Sequence, residues 1–249
     1  MNNTGRKKIL ILVEGAKKDV KVITRLFELY SELDVKYEIV PYCTNIYVLY
    51  QEFFEKDGGS DELDLLQVLK SKEKNLGKKK IFDERYTDIM LVFDLDPQDD
   101  KFTDEKIRKM EAYFCESSDM GKLYLNYPMI EAFYHMPNIP DPGYQSRTVS
   151  IDELIKGKYK ERVQQETRGN DYNKFIKGRA DANYVILENI SKAYKLLGEE
   201  VEISGRWREV NLSAVLERQL EFLETGYLYV LCTCVMFIYD YNWGLLFRE

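Results

Sequence analysis

An α/β fold, with a mostly parallel sheet flanked by helices and a helical subdomain after it, is predicted by three observations. Short apolar runs alternate with amphipathic segments from Lys8 to Asn126, the strand–helix order that a parallel sheet requires. Pro137, Pro140 and Pro142 then interrupt the chain. Beyond Ser150 the apolar residues recur at helical spacing. These place a first domain at 1–137 and a helical subdomain at 138–249.

The elements follow in order. Lys8 to Val13 reads as a fully buried strand, and Gly15 ends it. Asp19 to Ser31 reads as a helix, with Val20, Ile23, Leu26, Phe27 and Tyr30 on one face. Tyr37 to Val40 is a second strand, closed by Pro41. Thr44 or Asn45 caps a helix carrying Ile46, Leu49, Tyr50 and Phe53, and Asp57-Gly58-Gly59-Ser60 stops it. A short helix is expected over Asp61 to Lys70, then a loop from Ser71 to Thr87. Asp88 to Phe93 is a third strand, Thr103 caps a helix to about Phe114, and Lys122 to Asn126 is a fourth strand. A further helix starts at Met129. Ile151 to Glu166, Asp181 to Leu197, a segment from Asn211 or Ser213 to Glu224, and Gly226 to Tyr241 all read as helical.

Composition narrows the function. Charged residues make up 32% and hydrophobic residues 45%, which suits a folded globular chain. The net charge of −7 excludes a generally basic nucleic-acid binder, so any polyanion must meet a local patch or bound cations. Basic groups stand at Arg6, Lys7 and Lys8 and from Lys70 to Lys80, where a solvated loop is the plainer reading. Cys43, Cys115, Cys232 and Cys234 contain no CxxC pair, which leaves a zinc ribbon unsupported. Free thiols, a polar start without a signal peptide, and no comfortable membrane span together predict a cytoplasmic protein. The 19 tyrosines most simply fill a core.

Two acidic clusters carry the chemistry. Ile9-Leu10-Ile11-Leu12-Val13 ends in Glu14-Gly15, and Met90-Leu91-Val92-Phe93 ends in Asp94-Leu95-Asp96. Residues two apart on a strand point to one side, so Asp94 and Asp96 are expected to leave together. Parallel strands end at a common edge, which lets Glu14 meet them. Carboxylates so gathered suit Mg2+ or Mn2+, and Glu14 could ligate the metal or accept a proton from an attacking water. Each motif alone is weak, since acids often end strands as turn formers. Their joint appearance, each after an apolar run, is the stronger signal.

Val13-Glu14-Gly15 with Asp19, and Phe93-Asp94-Leu95-Asp96, resemble the two signature motifs of the TOPRIM domain. That domain occurs in topoisomerases, primases, ribosomal-RNA maturation nucleases and overcoming-lysogenisation-defect nucleases. The resemblance implies a Rossmannoid sheet and a Mg2+-dependent site, with Glu14 as acid/base or ligand and Asp94 and Asp96 on the metal. Asn126-Tyr127-Pro128-Met129-Ile130-Glu131 is similar to the Asn-Pro-x-x-Glu segment of RloB-like defence proteins, with Tyr127 intervening, and AriB-type effectors have similar proportions. This implies Glu131 as a further metal-site acid and an antiviral, abortive-infection nuclease cutting tRNA or DNA. Gln98 stands where topoisomerases carry a third aspartate, which favours the nuclease-like branch.

Supporting residues complete the expectations. Lys17 and Lys18 start the first helix, where they could contact a phosphate or simply face solvent. Lys122 could stabilise transition-state charge or be an ordinary edge lysine. Asn126 could touch substrate, orient Glu131 or a metal-bound water, or serve as a turn residue. His135 is the only histidine, which excludes a histidine-rich metal site. There is no GxxxxGK[ST] loop, so a regulatory ATPase would have to be a partner. The competing reading is a catalytically weak TOPRIM subunit docking on an ATPase or nucleic acid. The apolar stretch from Gly226 to Tyr241 could be core or a homo-oligomer interface.

Overall fold

The computed structural model describes residues 7–55, 64–118, 120–167, 175–199 and 208–247. β1 (Lys8–Val13) is buried from Ile9 onward, because both its faces are covered. It pairs in parallel with β2 (Lys36–Pro41) and with β3 (Asp88–Asp94). Beyond β3 lie β5 (Gly121–Tyr127), also parallel, and the short antiparallel β4 (Cys115–Glu116). The order is β2-β1-β3-β5-β4. Its register aligns Val13 with Val92 and Asp94 with Asn126, so β1, β3 and β5 end at one edge.

Helices cover the sheet as their apolar stripes dictate. α1 (Lys18–Leu29) buries Val22, Ile23, Leu26 and Phe27. Asn45 caps α2 (Ile46–Tyr50) by accepting from the Val48 N–H, and the helix runs on as a π turn through Gln51–Glu55. Asp64 caps α3 (Leu65–Lys72), and Thr103 caps α5 (Asp104–Tyr113). The expected stop at Asp57 to Ser60, the expected helix start at Asp61, and Arg6 lie outside the described residues. The loop expected from Ser71 to Thr87 contains α4 (Leu76–Lys79) and a 3-10 turn, Lys80–Asp83. Buried Phe82 pulls that lysine-rich segment onto the core. Lys70 and Lys72 there are paired with Asp83 and Glu52.

The second half departs most from expectation. Ile151 to Glu166 is two helices, α6 (Ile151–Ile155) and α7 (Lys158–Glu166), separated at Gly157 with φ 66°. A left-handed residue ends a right-handed helix, and glycine adopts it without steric cost. α8 (Arg179–Leu196) and α9 (Leu212–Leu223, capped by Asn211) form as expected. Gly226 to Tyr241, however, is not one helix. It supplies β7 (Tyr227–Tyr229) and β8 (Leu231–Cys232) before turning into α10 (Phe237–Asn242). β7 pairs with β6 (Thr148–Ser150), and β8 pairs antiparallel with the end of β5. Tyr-Leu-Tyr-Val-Leu-Cys is strand-forming in character, and the open flank of β5 offers it hydrogen bonds. The buried apolar residues of the two halves form one continuous cluster. Tyr30, Tyr47, Tyr124, Tyr127, Tyr144, Tyr159 and Tyr239 are fully buried in it. Among the described residues no helix is long and apolar enough to cross a membrane.

Candidate metal centre

The edge where β1, β3 and β5 end carries the acids. Glu14 follows β1 directly, and its backbone N–H donates to Val92 O at 3.0 Å, so the parallel ladder runs one residue past the strand. Cys43 N–H donates to Glu14 O at 2.9 Å from the other side. Its side chain turns across to β3, where Oε2 accepts from the Asp94 backbone N–H at 3.1 Å. Asp94 is the last residue of β3, and its side chain lies beside Asn126 on β5. Ligand atoms of Glu14, Asp94 and Asp96 all lie within 4.8 Å of one another.

Asp96 arrives by a different route from the one expected. β3 stops at Asp94, and Asp96 has φ 41°. A left-handed turn, not strand alternation, brings its carboxylate back beside Asp94. Three backbone bonds define the turn: Leu95 N–H to Asn126 O at 3.0 Å, Asp96 N–H to Pro128 O at 3.1 Å, and Asp99 N–H to Asp96 O at 2.9 Å. The buried Tyr47 hydroxyl donates to Leu95 O. Gln98 Nε2 donates to Asp96 Oδ1 at 2.9 Å, so the residue in place of a third aspartate steadies the second.

The electrostatics mark the cluster as short of positive charge. Burial, then the fields of Asp96 and Asp19, push the Glu14 carboxyl up to about 8 against a smaller lowering by its hydrogen bond from Asp94. Asp94 is pushed well above the carboxylate range by burial and by Glu14 and Asp96. Burial also raises Asp96, opposed by the bond from Gln98. Asp19, at the start of α1, is raised to about 6 by burial, although the backbones of Asp19 and Gly15 hydrogen-bond it. Asp19 Oδ1 and Glu131 Oε2 are buried with no hydrogen-bond partner among the described residues. Buried like charges and orphaned carboxylate oxygens are relieved by a cation. An all-oxygen donor set of this kind fits Mg2+ or Mn2+.

The remaining expected residues divide. Glu131 sits in the 3-10 turn Ile130–Tyr134, beside the triad but outside it, and pairs with Lys18. Lys18 is thereby committed to Glu131 and is not a free substrate contact. Lys17 is exposed just before α1. Asn126 is fully buried, which corrects its assignment to substrate. Its Nδ2 donates to Asp94 Oδ1 at 3.2 Å, and its Oδ1 accepts from Cys232 Sγ and from the Cys234 N–H, each at 3.4 Å. Lys122 lies away from the acidic cluster. It pairs with Met90, four residues before Asp94 in the register, about 13 Å back along the strand. There it binds Asp240 at 2.8 Å and Glu209 at 3.0 Å. An exposed residue the motifs missed, Lys160 on α7, lowers the proton affinity of both Glu14 and Asp96 through its charge. No local pattern could reveal it, because the fold brings it from the other half of the chain.

Gly15 explains the glycine of the first motif. A Cβ there would lie 2.4 Å from Asp19 Oδ2, so the carboxylate occupies the space of the missing side chain. The comparisons with family models, with curated proteins and with solved structures give no match, so the functional reading rests on these residues.

Proposed function

We propose that the protein is a Mg2+- or Mn2+-dependent nuclease of TOPRIM type that hydrolyses nucleic-acid phosphodiesters. The observation that carries this reading is the meeting of Glu14, Asp94 and Asp96 at the C-terminal edge of a parallel sheet. Glu14, Asp94 and Asp96 would hold the cation, and Gln98 and Asn126 fix the angles of the two aspartates. A divalent ion so held neutralises phosphate charge and acidifies a bound water. Glu14, partly open to solvent, would accept the proton from that water. The N-terminus of α1 follows β1 at the same edge and favours an anion there.

Finer parts of the reading rest on the resemblance of residues 126–135 and on the net charge of −7. On that basis the protein is a cytoplasmic anti-phage effector held in check by an ATPase partner, and a structured RNA such as tRNA is its target.

The test is incubation of the purified chain with total RNA, plasmid and single-stranded DNA, in Mg2+, Mn2+ or EDTA, beside Glu14→Ala. Metal-dependent cutting lost in the variant is expected. Cutting that survives Glu14→Ala would remove the proposed site. No cutting by the wild type, alone or with its genomic neighbours, would favour a catalytically weak binding subunit.

A further inference from the structure

A cavity lies between the end of β2 and the lysine-rich segment that follows α3. It measures about 360 Å3, within the range of small-ligand sites, about 300–1,000 Å3. Leu12, Val40 and Phe82 are among its apolar walls, Tyr42 borders it, and exposed Thr44 and Lys74 stand at its opening. The backbone sets it beside the metal centre. Tyr42 N–H donates to Val13 O at 2.8 Å and Cys43 N–H to Glu14 O at 2.9 Å, which continues the β1–β2 register by one pair and sets Tyr42 opposite Glu14. Neighbouring strands are about 4.8 Å apart. Leu12 stands two residues before Glu14, on the same face by strand alternation.

The cavity combines apolar walls with two uncommitted hydroxyls. Tyr42 Oη accepts from Lys72 Nζ at 2.9 Å but donates to nothing among the described residues, and Thr44 Oγ1 makes no hydrogen bond among them. Of the nearby acids, Glu52 holds Lys72 at 2.8 Å, and Glu73 accepts from the Asn75 N–H at 2.7 Å. Lys74, Lys78, Lys79 and Lys80 make no ion pair among the described residues. Buried Leu69 and Phe82 fix this segment to the core, so Lys74 is kept at the opening. On a chain of net charge −7 this is a local positive patch of the kind a polyanion needs. An apolar peptide side chain would cover both hydroxyls without satisfying them. A nucleobase offers acceptors at its edge and apolar faces to the walls.

We propose that this cavity receives one unpaired base of the strand being cut, and that Lys74 at its opening holds an adjoining phosphate. The inference rests on the nuclease reading and narrows its substrate to single-stranded or looped nucleic acid, because a paired and stacked base cannot enter. The Lys74 contact is electrostatic and independent of sequence, as phosphate contacts are.

The experiment uses the full chain as Thr44→Met, which fills the opening with a side chain that has no aromatic face, and as Lys74→Gln. Thermal melts control for folding, and Mn2+ calorimetry controls for the metal centre. Binding of a short single strand, and of an abasic strand of the same length, is measured in Ca2+ at several salt concentrations. Cutting of the single strand and of a duplex is measured in Mg2+. The wild type should bind the abasic strand about tenfold more weakly than the intact one. Thr44→Met should lose that discrimination while binding Mn2+ as the wild type does. Lys74→Gln should keep the discrimination and lower the salt slope by about 0.7, the value for one phosphate contact on a single strand. The wild type should cut the single strand faster than the duplex. A merely structural Thr44 would move the melt and not the preference between the two strands. A wild type that binds and cuts, beside a Thr44→Met variant that prefers the intact strand as strongly, would overturn this inference and leave the nuclease reading standing. So would a duplex cut as fast as the single strand. A wild type that neither binds nor cuts nucleic acid would overturn both.

Discussion

Asp96 sits in a left-handed conformation, φ 41°, that costs most L-residues about 1 kcal/mol or more. Aspartate and asparagine tolerate it best among non-glycine residues, so the backbone and the ligand requirement select the same side chain. Asp96→Asn should therefore fold as well as the wild type or better, because it keeps the turn and removes one of three mutually repelling carboxylates. Asp96→Ala should be less stable than Asp96→Asn by about 1 kcal/mol in denaturant titration. Neither variant should show the rise in melting temperature with Mg2+ expected of the wild type. Asn126 makes the complementary case. Truncation to alanine removes the partner of Asp94 Oδ1 and of the Cys234 N–H in a dry site, and leaves the Cys232 thiol only the Cys234 sulfur. That should cost roughly 2–4 kcal/mol of stability and lower Mn2+ affinity by about tenfold or more. Calorimetry beside chemical denaturation separates the two effects. The sequence made the three acids legible because each closes an apolar run. It hid the geometry, because a left-handed turn at an aspartate has no pattern of its own.

At the scale of elements, α7 shows how a helix is placed by one buried side chain. Tyr159 rests on His135, and His135 Nε2 lies 2.8 Å from Glu166 near the helix end. Burial, then Arg147, Arg162 and Lys192, push the imidazole down to about 2, so it is neutral in the folded protein. A neutral ring here donates from Nε2 to Glu166 and accepts from the Tyr159 hydroxyl at Nδ1. In the unfolded chain the same histidine protonates near pH 6.5. The unfolded state then binds more protons than the folded one, so this contribution is complete above about pH 6.5 and is lost as pH falls below it. With the imidazole held at about 2 in the folded protein, that loss is about 2 kcal/mol between pH 7 and pH 5. Unfolding titrations at both pH values should show that drop in the wild type. His135→Gln, which lacks the imidazole, should not show it. Equal drops in the two proteins would show that another group sets this pH dependence. β1, β2, β3 and β5 and the helices α1, α5, α8 and α9 were legible from periodicity and caps, whereas β7 and β8 read as helix. α7 was not separable from α6, because the break rests on a single glycine within a charged run.

For the whole molecule, the proline cluster at 137–142 reads in the sequence as a boundary between a catalytic domain and a helical appendage. Packing argues differently about what each half can do alone. β8 covers the outer flank of β5 at Asn126 and Tyr127, where β4 no longer reaches. Cys232 and Cys234 hold Asn126, and Asp240 and Glu209 hold Lys122, a lysine that is 12% exposed on its side chain. A chain ending at residue 137 would leave the end of β5 as an open edge, Lys122 without its carboxylates, and apolar faces such as Phe27 against Phe237 bare to water. Breaking one buried ion pair by removing its partner costs about 3–5 kcal/mol, and a domain's whole stability is only about 5–15 kcal/mol. Residues 1–137 should therefore fail to fold as an independent nuclease. The expected outcome is aggregation or a loosely packed state that binds a hydrophobic dye and shows no cooperative melt. Adding Mg2+ should not rescue it, since the ligands depend on Asn126 and β8 for their position. A cooperative melt for residues 1–137, raised by Mg2+, would show instead that the metal centre is complete without the second half.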